Sequence, residues 1–143
     1  MKNKIKGTGV AIITPFTKTG KIDEKSLTNL VNHLIISKID FIVVLGTTGE
    51  ASTLSHEEQM FVKDIVVKAV EGRVPVILGI GGNNTNKIAQ QIKEINFEGI
   101  QGILSVVPYY NLPSQRGLYE HFSAVAKACP VPVIMYNIPS RTG

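Results

Sequence analysis

The sequence has almost no cysteine and no long apolar run, and these two absences exclude several classes of protein. Cys129 is the one cysteine among 143 residues, so a disulfide framework or a Cys-rich zinc site within the chain is excluded. A single cysteine suits a reducing cytoplasm. No apolar stretch reaches the ~18 residues that a membrane-spanning helix needs. The basic start of the chain lacks the cleavage site of a signal peptide, and we therefore expect a cytoplasmic protein with no membrane segment.

Charge of either sign is also scarce. The chain has 15 Lys and Arg residues against 11 Asp and Glu, a formal net charge of +4. Apart from the lysines at positions 2, 4 and 6, the cations are spread along the chain, whereas a nucleic-acid-binding face would cluster them. The 43% of apolar residues is enough to build a buried core. We expect a globular protein that does not bind nucleic acid.

Five short β-branched runs, which start near positions 10, 41, 76, 103 and 133, alternate with four amphipathic helical windows. Continuous apolar runs of this kind are typical of strands that are buried on both faces of a parallel sheet. Asp23 is expected to cap the first helix, and Ser55 with Glu58 has the spacing of a capping box for the second. Residues 137–143 are expected to form a loop. The pattern predicts an α/β fold, either a doubly wound open sheet or part of an eight-stranded barrel, for which ~250 residues are needed.

Both architectures bind ligands at the carboxyl ends of their strands, where this sequence places several polar residues. Residues 46–50 (Gly-Thr-Thr-Gly-Glu) follow the second run and form either a cradle for a small carboxylate or phosphate or a plain turn. Thr47, Tyr110 and Tyr136 all lie at this end of the strands, where their hydroxyls could pass a proton or merely pack. Arg141 supplies a fork of donors that suits a carboxylate.

Two other features point away from cofactor chemistry. Residues 79–84 begin like a dinucleotide-binding turn, but Asn84 replaces the third glycine and the next run has no acidic residue at its end. We favour a turn followed by an Asn or Thr helix cap. The three histidines, His33, His56 and His121, fall in helical windows, and we expect no metal site among them.

Three motifs together resemble the dihydrodipicolinate synthase (4-hydroxy-tetrahydrodipicolinate synthase) family. They are residues 46–50, residues 108–111 (Pro-Tyr-Tyr-Asn) and residues 136–143 (Tyr-Asn-Ile-Pro-Ser-Arg-Thr-Gly). The resemblance runs from about Gly7 to Gly143, in the order and spacing of the family. The wider class-I pyruvate aldolase group, which includes N-acetylneuraminate lyase, shares the first motif, and the Ser-Arg-Thr-Gly ending favours the synthase.

The resemblance implies a TIM (β/α)8 barrel, of which residues 1–143 would be the N-terminal portion of a single catalytic domain whose C-terminal part is absent. It implies a lyase that condenses pyruvate with L-aspartate 4-semialdehyde to 4-hydroxy-tetrahydrodipicolinate in diaminopimelate and lysine biosynthesis. The family needs no cofactor and is usually a cytoplasmic homotetramer built from tight dimers. By this resemblance, the residues of the proton relay are Thr47, Tyr136 and Tyr110, the last of which reaches into the neighbouring subunit's site. Thr48 matches the contact to the pyruvate carboxylate, and Arg141 the contact to the semialdehyde carboxylate.

One element of the family pattern is missing. In the family, the Schiff-base lysine lies on the strand after the position of Gly143. The lysines of this sequence lie in predicted helices, in the N-terminal tail, in loops or at helix ends, and none is expected at the mouth where the strands end. We therefore expect the chain to be the N-terminal half of the enzyme and to be inactive alone. The alternatives are another pyruvate-dependent aldolase or lyase, a non-catalytic half-barrel, and a nucleotide-binding domain, which the failed glycine pattern disfavours.

The resemblance also implies a regulatory cleft. In feedback-inhibited members of the family, lysine binds at the tight-dimer interface, and the matching positions here are Ala51, Ser52, His56, Gln59, Asn83, Lys87 and Tyr109. Lys87 stands where sensitive enzymes have a glutamate, and Gln59 replaces a second histidine. Because an ammonium group would repel the bound lysine, we expect an enzyme that lysine does not inhibit.

Overall fold

The computed structural model describes residues 5–142, which divide into two compact units. The first unit contains the described residues up to Gly79 together with residues 99–101, and the second contains residues 80–98 and 102–142. Each unit consists of parallel strands joined by helices, as the alternation in the sequence predicts. None of the helices within residues 5–142 is long and apolar enough to cross a bilayer.

Three parallel strands form the sheet of the first unit. They are β1 (Gly9–Ala11), β2 (Phe41–Val44) and β3 (Val76–Gly79). β2 pairs with both neighbours, with Ile42 opposite Val10 on one side and opposite Val76 on the other. Consecutive residues of β3, such as Ile77 and Leu78, are fully buried. Both faces of this strand are therefore covered, in agreement with its continuous apolar run.

The first unit has two helices that pack against each other, and the second of them also contacts β2 and β3. Both begin where the sequence predicts. In α1 (Glu24–Ile36) the Asp23 carboxylate accepts from the Ser26 N–H at 3.0 Å. α2 (His56–Val70) starts with a capping box: the Ser55 N–H donates to Glu58 Oε2 at 2.8 Å, and the Glu58 N–H donates to Ser55 Oγ at 3.2 Å. Positions one turn apart, such as Leu27 and Val31 of α1, are fully buried, and each contributes roughly 1.5–3 kcal/mol by leaving water.

The second unit has two strands and three helices. They are α3 (Thr85–Glu94), β4 (Gly102–Val106), α4 (Gln115–Ala128), β5 (Val133–Tyr136) and α5 (Pro139–Thr142). β4 and β5 are parallel, from Ile103 opposite Val133 to Val106 opposite Tyr136. Asn84 caps α3 by accepting from the Lys87 N–H at 3.1 Å, which confirms the predicted Asn cap. The expectation of a loop after β5 is wrong for residues 139–142, because the Ile138 carbonyl accepts from the N–H groups of Arg141 and Thr142 and closes a helical turn.

Candidate active site

The turn after β2 holds both candidate threonines of the first unit. Leu45 ends the strand with a left-handed backbone (φ 57°), and Glu50 leaves the turn with another (φ 55°). Between them Thr47–Gly49 form a 3-10 turn, in which the Gly49 N–H donates to the Gly46 carbonyl at 3.0 Å. Thr47 and Thr48 are exposed. Two adjacent hydroxyls beside backbone N–H groups can bind a small carboxylate.

Two residues to which the sequence assigned no role in this turn contact it. Thr14, which is 3% exposed, donates its Oγ1 hydroxyl to the Gly49 carbonyl at 2.7 Å. Gly79, at the end of β3, lies so close to Leu45 that a Cβ there would overlap the Leu45 carbonyl oxygen. Neither contact has a signal in the sequence, because each joins residues more than 30 positions apart.

Four of the positions assigned to the effector cleft follow the same turn. Ala51 and Ser52 belong to a second 3-10 turn, Ala51–Thr53, and His56 is the exposed first residue of α2. The Gln59 amide donates from Nε2 to the Ala51 carbonyl at 2.8 Å and to the Leu54 carbonyl at 3.3 Å. Gln59 therefore bonds to the backbone of residues 51–54, the segment just before α2.

In the second unit, the loop after β4 presents Tyr110 to solvent. The Tyr110 side chain is 90% exposed and its backbone is left-handed (φ 72°), as is that of Leu112 (φ 47°). Asn83 donates from Nδ2 to the Tyr109 carbonyl at 3.4 Å, and Asn111 donates from Nδ2 to the Asn83 carbonyl at 3.3 Å. This pair of amides ties the loop before α3 to the loop after β4. Of the remaining cleft positions, Asn83 and Tyr109 thus touch each other, while the Lys87 side chain is exposed on α3.

Tyr136 and Arg141 lie at the end of β5 and just beyond it. Tyr136 is half-buried, and its carbonyl accepts from the Val107 N–H at 2.9 Å, which extends the β4–β5 pairing past the last strand residue. Arg141 is exposed on α5. The neighbouring Thr142 is buried, and its hydroxyl lies 2.8 Å from Asn137 Oδ1 and 2.9 Å from the Ile138 carbonyl. These bonds hold the helical turn on which Arg141 stands.

Within residues 5–142, one histidine and one lysine are buried, and both lie on helices and not at strand ends. His121 is buried on α4, where its Nδ1 lies 2.8 Å from Thr85 Oγ1, and burial lowers its pKa. The described part of the chain contains no group of three His, Cys, Asp or Glu side chains that could hold a metal ion. Lys63 is buried on α2, where its Nζ lies 2.6 Å from Asp64 Oδ1. It stands in the middle of a helix and not at the end of a strand.

Parallel strands that alternate with helices, with polar residues in the loops at their carboxyl ends, define the class of α/β proteins whose ligand sites form at that edge. Within this class, the model of the Dihydrodipicolinate synthetase family matches residues 4–143. The chain belongs to this family.

Individual relatives agree with the family match. The 4-hydroxy-tetrahydrodipicolinate synthase of Parabacteroides distasonis is 49% identical over 139 residues, which are 97% of this chain and 47% of the relative. The crystal structure of the chloride-inhibited dihydrodipicolinate synthase from Acinetobacter baumannii complexed with pyruvate is 45% identical with a TM-score of 0.93, and the match covers 98% of this chain and 48% of that one. The crystal structure of the dihydrodipicolinate synthase from Cyanidioschyzon merolae with lysine bound is 41% identical, with a TM-score of 0.89. That match covers 96% of this chain and 47% of the other.

These matches confirm the predicted fold class, because the solved relatives are (β/α)8 barrels. The chain spans about half the length of the curated relatives that it matches.

Proposed function

We propose that this chain supplies the N-terminal half of a 4-hydroxy-tetrahydrodipicolinate synthase, which condenses pyruvate with L-aspartate 4-semialdehyde. The observation on which this rests is that the family match extends over residues 4–143, while each candidate side chain lies at the carboxyl end of a parallel strand or beyond it. The pyruvate bound to the Acinetobacter baumannii relative supports the first substrate. We call this chain, when it is continued by the second half that its relatives have, the completed enzyme.

The proposed chemistry divides between this chain and that second half. A lysine beyond Gly143 condenses with the pyruvate ketone and releases water, and loss of a methyl proton gives an enamine. The enamine carbon attacks the semialdehyde aldehyde, whose oxygen takes up a proton. The amine of the semialdehyde then displaces the lysine amine from the imine carbon, which closes the ring and frees the lysine. Thr47, Tyr136 and Tyr110 relay these protons, and they do so without a cofactor. Thr48 holds the pyruvate carboxylate, and the Arg141 fork holds that of the semialdehyde. Arg141 favours the synthase over a lyase for sugar acids, which need partners for their hydroxyls.

Exposure of apolar side chains supports a role as part of a larger protein. Ile13, just after β1, is 52% exposed, and Met135 of β5 is 68% exposed. In a single barrel domain that continues beyond this chain, the second half would cover such side chains. The 90% exposure of the Tyr110 side chain is consistent with a tyrosine that enters a neighbouring subunit's site in a cytoplasmic homotetramer.

Substitution of the three hydroxyl-bearing residues tests the relay. Thr47→Val, Tyr110→Phe and Tyr136→Phe each remove one hydroxyl, and in the completed enzyme each is expected to lower kcat by about 10- to 1000-fold. Tyr119→Phe is the matched control, because Tyr119 is a 71% exposed tyrosine on α4 outside the proposed site. If kcat is unchanged in all three variants, these residues only pack and the relay is wrong.

Two further measurements test the division of roles. If Tyr110 acts across an interface, a mixed oligomer of Tyr110→Phe and Thr47→Val subunits regains activity that neither variant has alone. Borohydride with pyruvate is expected to label the completed enzyme but not residues 1–143 alone, because the nucleophile is in the second half. A stoichiometric pyruvate adduct on a lysine of this chain would overturn that assignment.

A further inference from the structure

The turn that holds Thr47 and Thr48 is bounded by two residues in an unfavourable backbone conformation. Leu45 and Glu50 have φ values of 57° and 55°, in the left-handed region that side chains other than glycine rarely adopt. Leu45 is also buried, with 4% of its surface exposed. A bulky left-handed residue persists only where its surroundings hold it in place.

One restraint is a buried hydrogen bond at the end of the turn. The Thr14 hydroxyl donates to the Gly49 carbonyl at 2.7 Å, and Thr14 is 3% exposed. The backbone beside this bond is tightly packed, since a Cβ at Gly49 would lie 3.1 Å from the Ile12 carbonyl oxygen. Because a buried hydroxyl and a buried carbonyl are costly to leave unpaired, this bond specifies where Gly49 lies.

The second restraint acts at the start of the turn. A Cβ on Gly79 would overlap the Leu45 carbonyl and lie 2.8 Å from the Gly46 nitrogen. The backbone of β3 therefore approaches that of Leu45 and Gly46 more closely than a residue with a side chain allows. Thr47 and Thr48 stand between these two anchored ends, with no side-chain contact of their own needed to place them.

We propose that Thr14 is a positioning residue for the site: through the Gly49 carbonyl it sets the position of the Thr47 and Thr48 hydroxyls. The roles of these two hydroxyls rest on the proposed function, whereas the placement of the turn does not. Thr14 is buried and bonds to the backbone of the turn, so its proposed role is exerted through that backbone.

Three variants of the completed enzyme test this role by kinetics. Thr14→Val keeps the shape of the side chain and removes the donor, and it is expected to lower kcat by about 10- to 100-fold and to raise the KM for pyruvate about 3-fold or more, because both hydroxyls are misplaced together. Thr14→Ser restores the donor and is expected to restore both constants. Thr28→Val on α1 removes a hydroxyl elsewhere in the same unit and leaves both constants unchanged. A variant that only folds less well loses active enzyme but keeps its KM for pyruvate, and this result would overturn the proposal.

Amide hydrogen exchange tests the placement of the turn independently of any activity. In Thr14→Val, the amides of residues 47–50 are expected to exchange about 10-fold faster or more, because local opening no longer breaks the Thr14 bond, while Thr28→Val leaves them unchanged. Equal exchange in both variants would overturn the proposal. Should Thr14→Val fail to fold, Thr14→Ala, which cannot overfill the site, is measured against Thr14→Ser in the same way. Faster exchange in a completed enzyme that has no synthase activity would refute the proposed function and leave the placement of the turn standing.

Discussion

Substitution of Gly79 by alanine tests whether the turn after β2 is held by close backbone packing. The added methyl group would overlap the Leu45 carbonyl and approach the Gly46 nitrogen at 2.8 Å. Both neighbours are backbone atoms, which cannot rotate aside as the end of a long side chain can. The strand or the turn must therefore move, and Leu45 already has a strained backbone with φ at 57°.

Two opposing effects determine the size of the change. Overfilling a packed site costs about 1–3 kcal/mol, whereas replacing glycine by alanine lowers the entropy of the unfolded chain and stabilises by about 0.4–1 kcal/mol. The packing effect is larger, and Gly79→Ala is expected to be destabilising by about 1–2 kcal/mol. Gly46→Ala in the same turn is the matched control, because Gly46 has an ordinary φ of −72° and a Cβ there would meet only Val43 Cγ1 at 3.7 Å. Only the entropic effect remains for it, and it is expected to be neutral or slightly stabilising.

Thermal unfolding of the two variants side by side measures the difference. With a shift of about 2–4 °C per kcal/mol for a domain of roughly 150–250 residues, Gly79→Ala is expected to lower the Tm of the completed enzyme by about 2–8 °C. Gly46→Ala is expected to leave the Tm unchanged or to raise it slightly. If Gly79→Ala were as stable as Gly46→Ala, the backbone of Leu45 and Gly46 would be yielding at no cost, and the reasoning about a rigidly held turn would be refuted.

Three other predictions concern regulation, pH and substrate recognition. We expect the completed enzyme to retain more than half of its initial rate in about 1 mM L-lysine, which corresponds to a binding free energy weaker than about −4 kcal/mol, and we expect Lys87→Glu to increase inhibition by about 10-fold or more. Burial lowers the pKa of His121 from its usual 6.5, so just below pH 6.5 the unfolded chain binds more protons than the folded one. The contribution of neutral His121 to stability is therefore complete above pH 6.5 and is lost as the pH falls through the lowered pKa. Tm measured between about pH 7 and pH 5 should fall less in His121→Gln than in the unmodified protein. Arg141→Ala should impair use of the semialdehyde while borohydride still traps the pyruvate adduct; equal loss of both would show that Arg141 shapes the loop instead.

The elements of this fold that could be predicted are those that depend on neighbours in the sequence. Asp23 and the pair of Ser55 and Glu58 begin helices because each side chain reaches an N–H group within three residues. The parallel arrangement also follows from the apolar runs. Consecutive residues of β2 and β3 are buried, and burial of both faces of a strand is typical of parallel sheets. The expectation of a loop after Tyr136 was wrong for residues 139–142, although the bonds of α5 to the Ile138 carbonyl are also local. A helix of four residues is too short to show a period of apolar residues in the sequence.

The candidate site could be predicted only as a set of residue types at strand ends. Thr47, Thr48, Tyr110, Tyr136 and Arg141 could be assigned roles through motifs that resemble a family. Their roles stay predictions until the variants are measured. The amide hydrogen bonds that Asn83 and Asn111 donate could not be predicted from the sequence. Amides are common in loops, and the partners of these two lie about 30 positions away.

The sequence by itself therefore determined the order of strands and helices, the helix starts and the family, because these depend on local hydrogen bonds, on the period of apolar residues and on contiguous motifs. Only the tertiary structure decided that Leu45 is left-handed, that Thr14 holds Gly49, and that Gly79 must lack a side chain. The last two of these are contacts between backbone atoms and a residue more than 30 positions away. Such contacts exist only after parallel strands have brought distant segments within hydrogen-bonding distance of each other.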